Sequence, residues 1–176
     1  MLAVAHRGLC PQESAAAREL LDLLCRRTLG RPAPPLRRGP DEKPCFEEAG
    51  LHCGITHTRG HVFVALADRP VGLDAEDLSR PLRLEVARRV LSAEEALIPG
   101  QERRSLLRYW TLKEAYLKYT GQGLHRDMRS LTFTLEPEPR LAGSGLHFAQ
   151  LEAWGCLAAL CMDAPISLKK EEILEL

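Results

Sequence analysis

Arg108-Tyr109-Trp110-Thr111-Leu112-Lys113-Glu114-Ala115-Tyr116-Leu117-Lys118-Tyr119-Thr120-Gly121-Gln122-Gly123-Leu124 is the stretch on which the reading of this chain turns. Leu106, Leu107, Trp110, Ala115 and Leu117 keep a helical rhythm from about Gln101, and Gly121 and Gly123 supply a stop. Glu114 and Lys118 are four positions apart, so they share a face one turn apart, and Trp110 precedes them by one more turn. Taken alone, a Glu–Lys pair at this spacing is ordinary surface charge that stabilises a helix by about 0.3–0.5 kcal/mol.

Upstream lies Pro70-Val71-Gly72-Leu73-Asp74-Ala75-Glu76-Asp77, an apolar strand running into acidic residues. Asp74 and Glu76 are two apart and project to one side of an extended chain. Two carboxylates from a strand and one from a helix form an oxygen-donor set of the kind magnesium takes, beside phosphate and water. The alternative is a pair of sheet-edge carboxylates balanced by solvent.

Together, V-G-L-D-A-E and W-T-L-K-E-A-Y-L-K, with the helix ending G-Q-G-L, resemble the signature of the 4'-phosphopantetheinyl transferases of the larger type, which activates peptide synthetases. Arg88-Arg89-Val90-Leu91-Ser92-Ala93-Glu94-Glu95, Glu42-Lys43-Pro44-Cys45 and Gly54-Ile55-Thr56-His57-Thr58-Arg59-Gly60 fit as well. The likeness runs from about Leu20 to the C-terminus. It implies an α+β fold of two similar lobes in a pseudo-dimer, with the active site in the cleft between them. The lobes would be residues 1–69, a shortened N-terminal lobe, and residues 70–176, which carry the metal motifs.

The resemblance also implies the chemistry. The phosphopantetheine arm of coenzyme A moves to a serine of an apo acyl or peptidyl carrier protein, and adenosine 3',5'-bisphosphate leaves. Asp74, Glu76 and Glu114 map onto the ligands of magnesium, with manganese as an alternative ion. Glu114 maps onto the general base, and Lys113 and Lys118 onto lysines that contact the phosphates, with Lys118 on the leaving-phosphate side. Lys43 and Pro44 match the element along the adenosine end of coenzyme A, and Thr56 and His57 the pair that meets its 3'-phosphate. Read without the family, Lys43 is a turn lysine, and His57 a packed or surface histidine.

Two departures from the family pattern bear on coenzyme A affinity. Glu42 stands where glycine is common before Lys-Pro, and Gly54 where asparagine is common. Little of the family's basic N-terminal segment is kept, and Arg31, Arg37 or Arg38 are candidates to replace it. The interspersed arginines Arg88, Arg89, Arg103, Arg104 and Arg108 are candidates for docking an acidic carrier protein, against the plainer reading of solvated helix charge.

At 176 residues the chain can bury a full core. Its formal net charge of zero gives no global field toward nucleic acid. No apolar run approaches the ~20 residues of a membrane span, and Met1-Leu2-Ala3-Val4-Ala5-His6-Arg7 lacks a basic start, so neither a membrane partner nor a signal peptide is expected. The six cysteines, none in a C-x-x-C pair, read as reduced thiols of a cytoplasmic protein. A monomer is expected, with self-association as the alternative if a shortened lobe leaves apolar surface.

In chain order the pattern predicts a strand near residues 1–10 and a helix capped by Ser14, ended by Gly30. A proline-rich loop over residues 31–40 precedes strands at residues 51–57 and 61–67, expected to lie beside the Asp74 strand in one antiparallel sheet. Helices follow at about residues 82–91, at Ser92 with a Glu95 capping box, and over the opening stretch. Pro99-Gly100 separates the last two. Strands are expected near residues 130–135, 146–153 and 156–162, with a short helix in the charged tail from Ser167. Two rival functions remain at this point. One is a binding module for coenzyme A or a carrier protein without turnover, and the other a metal-dependent nucleotide hydrolase using the same carboxylates.

Overall fold

The computed structural model describes residues 1–39, 43–81, 84–98, 103–122 and 126–175. Glu42, the helix start at Leu82, the Pro99-Gly100 break, Gln101, Glu102, the Gly123-Leu124 end of the motif and Leu176 lie outside them.

The elements are β1 (Leu2–Arg7), α1 (Glu13–Leu29), β2 (Leu36–Arg38), β3 (Pro44–Phe46), β4 (His52–Thr58), β5 (His61–Ala67) and β6 (Val71–Asp77), then α2 (Leu84–Val90), α3 (Ala93–Ala96) and α4 (Arg103–Thr120). Strands β7 (Phe133–Thr134), β8 (Arg140–Leu141), β9 (His147–Ala153), β10 (Cys156–Met162) and β11 (Leu174–Glu175) complete a mixed α/β chain.

Two main sheets carry the core. The first has the order β11-β1-β5-β4 and the second β6-β10-β9. Strand alternation decides what each face meets. Ala5, Cys53, Val62, Val64 and Leu66 pack on Leu20, Leu21 and Leu24 of α1. Burying a leucine of this kind is worth about 1.5–3 kcal/mol. The opposite face of the first sheet, with Val4, Phe63, Ala65 and Ala67, packs on Val71, Leu73, Ala75, Ala158, Leu160 and Met162 of the second. The outer face of the second sheet, through Ala159 and Cys161, packs on Tyr109, Leu112, Ala115 and Leu117 of α4. The layers therefore run helix, sheet, sheet, helix.

This corrects one expectation. β6 does not join β4 and β5 in a sheet; it pairs antiparallel with β10, from Val71 opposite Met162 to Asp77 opposite Cys156. Neighbours in sequence are separated because the short turn after Ala67 passes the chain from one sheet to the next. Ser14 does not cap α1: Gln12 holds the N-cap without a side-chain hydrogen bond, and Ser14 sits within the first turn. Gly30 ends α1 as expected. The proline-rich loop contributes β2, which pairs with β3 beyond it, Leu36 opposite Phe46. The tail forms a 3-10 turn at Lys170–Glu172 and then β11, which returns to lie parallel beside β1. All six cysteines are free thiols.

Candidate active site

Gly72 seats α4 on the second sheet. A Cβ at Gly72 would come within 1.9 Å of the Ala115 carbonyl oxygen and 2.7 Å of the Tyr119 nitrogen. Any side chain would lift the helix off the strand. Asp74 and Glu76 follow Gly72 on the same strand face, and Glu114 and Lys118 flank Ala115 on the helix. Close seating at Gly72 thus brings strand carboxylates and helix side chains together.

The contacts are specific. Lys118 Nζ lies 2.6 Å from Asp74 Oδ1 and 3.2 Å from Thr56 Oγ1. Thr56 Oγ1 donates to Asp74 Oδ1 at 3.3 Å, and Thr58 Oγ1 donates to Glu76 Oε2 at 3.3 Å. Arg80 forms an ion pair with Glu76 Oε1. Edge strand β4 of the first sheet therefore meets edge strand β6 of the second through two threonine–carboxylate rungs. Gly54, which stands where the family often has asparagine, lies in this crossing: a Cβ there would be 2.8 Å from the Leu73 Cβ.

Burial and the neighbouring Asp74 charge raise the Glu114 carboxyl to about 7. The same causes push Glu76 above the usual carboxylate range, offset in part by Arg80. Carboxylates that raise one another in this way favour a cation among them. Asp74 Oδ2 is buried and unpartnered within the protein, an acceptor of the kind a hard cation takes. Among the described residues no three His, Cys, Asp or Glu side chains are gathered closely enough to hold an ion as they stand. The donor set fits magnesium; assembling it requires side-chain rotation, because Lys118 and Arg80 now hold two of the three carboxylates.

The family model described as the 4'-phosphopantetheinyl transferase superfamily matches residues 70–165, more than half of the chain. The chain belongs to the 4'-phosphopantetheinyl transferase superfamily. Among its relatives, 4'-phosphopantetheinyl transferase psf-1 of Bacillus pumilus is 34% identical over 93 residues, 50% of this chain and 40% of that protein. 4'-phosphopantetheinyl transferase HetI of Nostoc sp. is 31% identical over 128 residues, 66% of this chain and 54% of that one. 4'-phosphopantetheinyl transferase Sfp of Bacillus subtilis is 27% identical over 106 residues, 57% and 47% of the two chains. The chain spans about half the length of the curated relatives it matches.

Of the residues assigned by resemblance, Lys113 and His57 lie away from the carboxylate cluster. Lys113 is turned away from the carboxylates, with its side chain fully buried. Its ammonium lies 2.6 Å from the Val90 carbonyl, 2.5 Å from Glu95 Oε2 and 3.2 Å from the Met128 carbonyl, which uses all its donors. Glu95 is equally buried, accepts from the Phe133 amide at 2.7 Å, and forms the expected capping box with Ser92. This knot ties α2, α3 and β7 to α4 and fixes the rotation of the helix that carries Glu114.

Thr56 and His57 do not share a face. As neighbours on a strand they point to opposite faces. Thr56 is buried at the carboxylates, whereas His57 is exposed, with Nδ1 2.8 Å from Glu13 Oε2. His57 and Pro44 line a cavity of ≈ 710 Å³ with Arg18, Arg37 and Arg38. Lys43 Nζ donates instead to the Val71 carbonyl at 3.2 Å, and burial lowers its pKa. Arg31 is paired with Glu48 and does not line that cavity among the described residues.

The docking arginines divide as well. Arg103 binds the Leu78 and Arg80 carbonyls, Arg104 pairs with Glu152, and Arg108 holds Glu136, Gln150 and the Leu135 carbonyl. Arg88 and Arg89 at the end of α2 are exposed. The sequence reading missed Arg18, Arg80 and Thr58 at the site, and Glu95 as the partner of Lys113. Neither Arg80 nor Arg18 had a local signal: Glu76 lies near the end of a strand and Arg80 follows in a turn, so the helical i, i+4 rule does not apply to them, and Arg18 matches no motif. No helix among the described residues is long and apolar enough to cross a membrane.

Proposed function

We propose that this protein transfers the 4'-phosphopantetheine group of coenzyme A to a serine of an apo acyl or peptidyl carrier protein, releasing adenosine 3',5'-bisphosphate. The observation that carries this reading is the meeting of Asp74, Glu76, Glu114 and Lys118 on one strand–helix contact within the family-matched residues. Asp74, Glu76 and Glu114 would hold magnesium or manganese. The bound cation supplies neutralisation of the pyrophosphate charge.

The chain's own residues do the rest. Glu114, with a pKa raised to about 7, is poised to take the proton of the serine hydroxyl near neutrality. Lys118 presents its ammonium beside Asp74, where it opposes charge that develops on the leaving phosphate. Thr56 and Thr58 keep the strand carboxylates aimed into the cleft. Coenzyme A laid across the free edge of β4 would meet Thr56 on one face. On the other it would meet His57 and Pro44 together with Arg18, Arg37 and Arg38, and the charges of these three arginines suit the 3'-phosphate. The helix–sheet–sheet–helix layering supports two lobes, residues 1–69 and 70–176, in a pseudo-dimer with the cleft between them. Arg88 and Arg89 are then the exposed cations of α2 free to steer an acidic carrier protein.

Incubation with coenzyme A and magnesium tests the reading by following adenosine 3',5'-bisphosphate. Release that requires an apo carrier protein is the expected result. Release at the same rate without a carrier would make the protein a hydrolase and overturn the proposal.

A further inference from the structure

We propose that Arg80 is a displaceable counter-ion for Glu76: Glu76 exchanges Arg80 for the divalent cation, and the released guanidinium then serves the phosphates of the bound substrate. The inference rests on the reading above and adds a residue that lies outside both motifs.

The two strand carboxylates differ in what they offer a cation. Asp74 has one oxygen engaged by Lys118 and Thr56, while Oδ2 is buried with no partner. Glu76 has both oxygens engaged, Oε1 by Arg80 and Oε2 by Thr58. Glu76 can therefore ligate an ion only by giving up a contact. Thr58 is the fixed one, since its hydroxyl also accepts from the Asp77 amide at 3.4 Å. Arg80 is the movable one, with its side chain 39% exposed against 11% for Glu76.

Its base, however, is anchored. The Arg80 amide donates to the Asp77 carbonyl at 3.0 Å, and Arg103 of α4 donates to the Arg80 and Leu78 carbonyls. The guanidinium lies 5.2 Å from the centre of the Trp110 ring, a favourable cation–π distance. Trp110 is one helical turn before Glu114. A guanidinium released from Glu76 thus remains tethered at the rim of the same cleft. A planar fork of donors suits phosphate oxygens better than any other side chain.

The exchange predicts effects of opposite sign from one substitution. Arg80→Gln removes the competitor for Glu76, so Mn²⁺, followed by electron paramagnetic resonance of the free ion, binds about two- to fivefold tighter. With Mn²⁺ saturating, coenzyme A measured by calorimetry binds Arg80→Gln more weakly than wild type. Arg59→Gln removes the same charge from the neighbouring turn without touching a carboxylate, and it leaves Mn²⁺ affinity unchanged. Arg80→Lys, which keeps an ion pair, stays near wild type for Mn²⁺. Unfolding curves verify that each variant is folded. Mn²⁺ binding that is unchanged or weaker in Arg80→Gln overturns the inference, as does unchanged coenzyme A affinity or an equal gain in Arg59→Gln. Mn²⁺ bound by neither wild type nor Arg80→Gln overturns the proposed function together with it.

Discussion

Gly72 lies directly beneath Ala115, so close that a Cβ on the glycine would stand 1.9 Å from the Ala115 carbonyl oxygen. That contact sets the height of α4 above β6, and with it the approach of Glu114 and Lys118 to Asp74. Gly72→Ala should destabilise the protein by about 3 kcal/mol or more, because backbone rather than a flexible side chain must move. Gly145→Ala, where nothing lies within 4 Å, should stay within about 0.5 kcal/mol. Urea unfolding of both variants checks the contrast, and equal stabilities would contradict the seating role.

The buried Lys113–Glu95 pair gives a second test. Lys113→Met leaves the Glu95 carboxylate buried without its counter-ion, a change that costs about 3–5 kcal/mol. Lys113→Met combined with Glu95→Gln, which removes the buried charge and keeps an acceptor for the Ser92 and Phe133 amides, should recover part of that loss. A lysine that served coenzyme A instead would show the reverse pattern: wild-type stability and lost affinity.

His6 makes stability depend on pH. Its ring is buried and stacks on Trp154 at 4.1 Å, and burial followed by the nearby His61 lowers its pKa from 6.5 to about 4. Above pH 6.5 the residue is neutral both folded and unfolded and contributes no pH dependence. Between 6.5 and 4 the unfolded chain binds the proton first, so stability falls as pH falls, by about 3 kcal/mol at most. Denaturant midpoints at pH 7 and pH 5 should converge in His6→Phe relative to wild type. An unchanged difference would place the pH dependence elsewhere.

A divalent ion should stabilise the folded protein. At ten times its Kd a ligand confined to the native state adds about 1.4 kcal/mol. The rise in Tm with magnesium or manganese should vanish in Asp74→Asn. It should grow as pH rises through about 7, where Glu114 ionises, since a protonated carboxyl is a poor ligand. Stabilisation by magnesium that survives Asp74→Asn would show that the ion binds somewhere else.

The site was legible where a local period sufficed. Strand alternation aligned Asp74 with Glu76, and the helical turn aligned Glu114 with Lys118; the structure brings these four side chains together. The same rules set other candidates apart from the cluster. Lys113 is one residue from Glu114, about 100° around the helix, and so belongs to the buried face. Thr56 and His57 are adjacent on a strand and must diverge. The pairing of β6 with β10 and the return of β11 to β1 are contacts between residues far apart in sequence, which no short window reports. Arg80 escaped notice because its meaning depends on Trp110 and Arg103, both on a helix that follows it by more than twenty residues.

The central assignment meets its most direct test in the intact mass of apo carrier proteins after incubation with this protein, coenzyme A and magnesium, with Glu114→Ala alongside. The assignment predicts a gain of one phosphopantetheine on at least one carrier, absent with Glu114→Ala. A gain that persists with Glu114→Ala would contradict the role given to that carboxylate. No gain on any carrier, with coenzyme A still bound, would contradict the transferase reading itself.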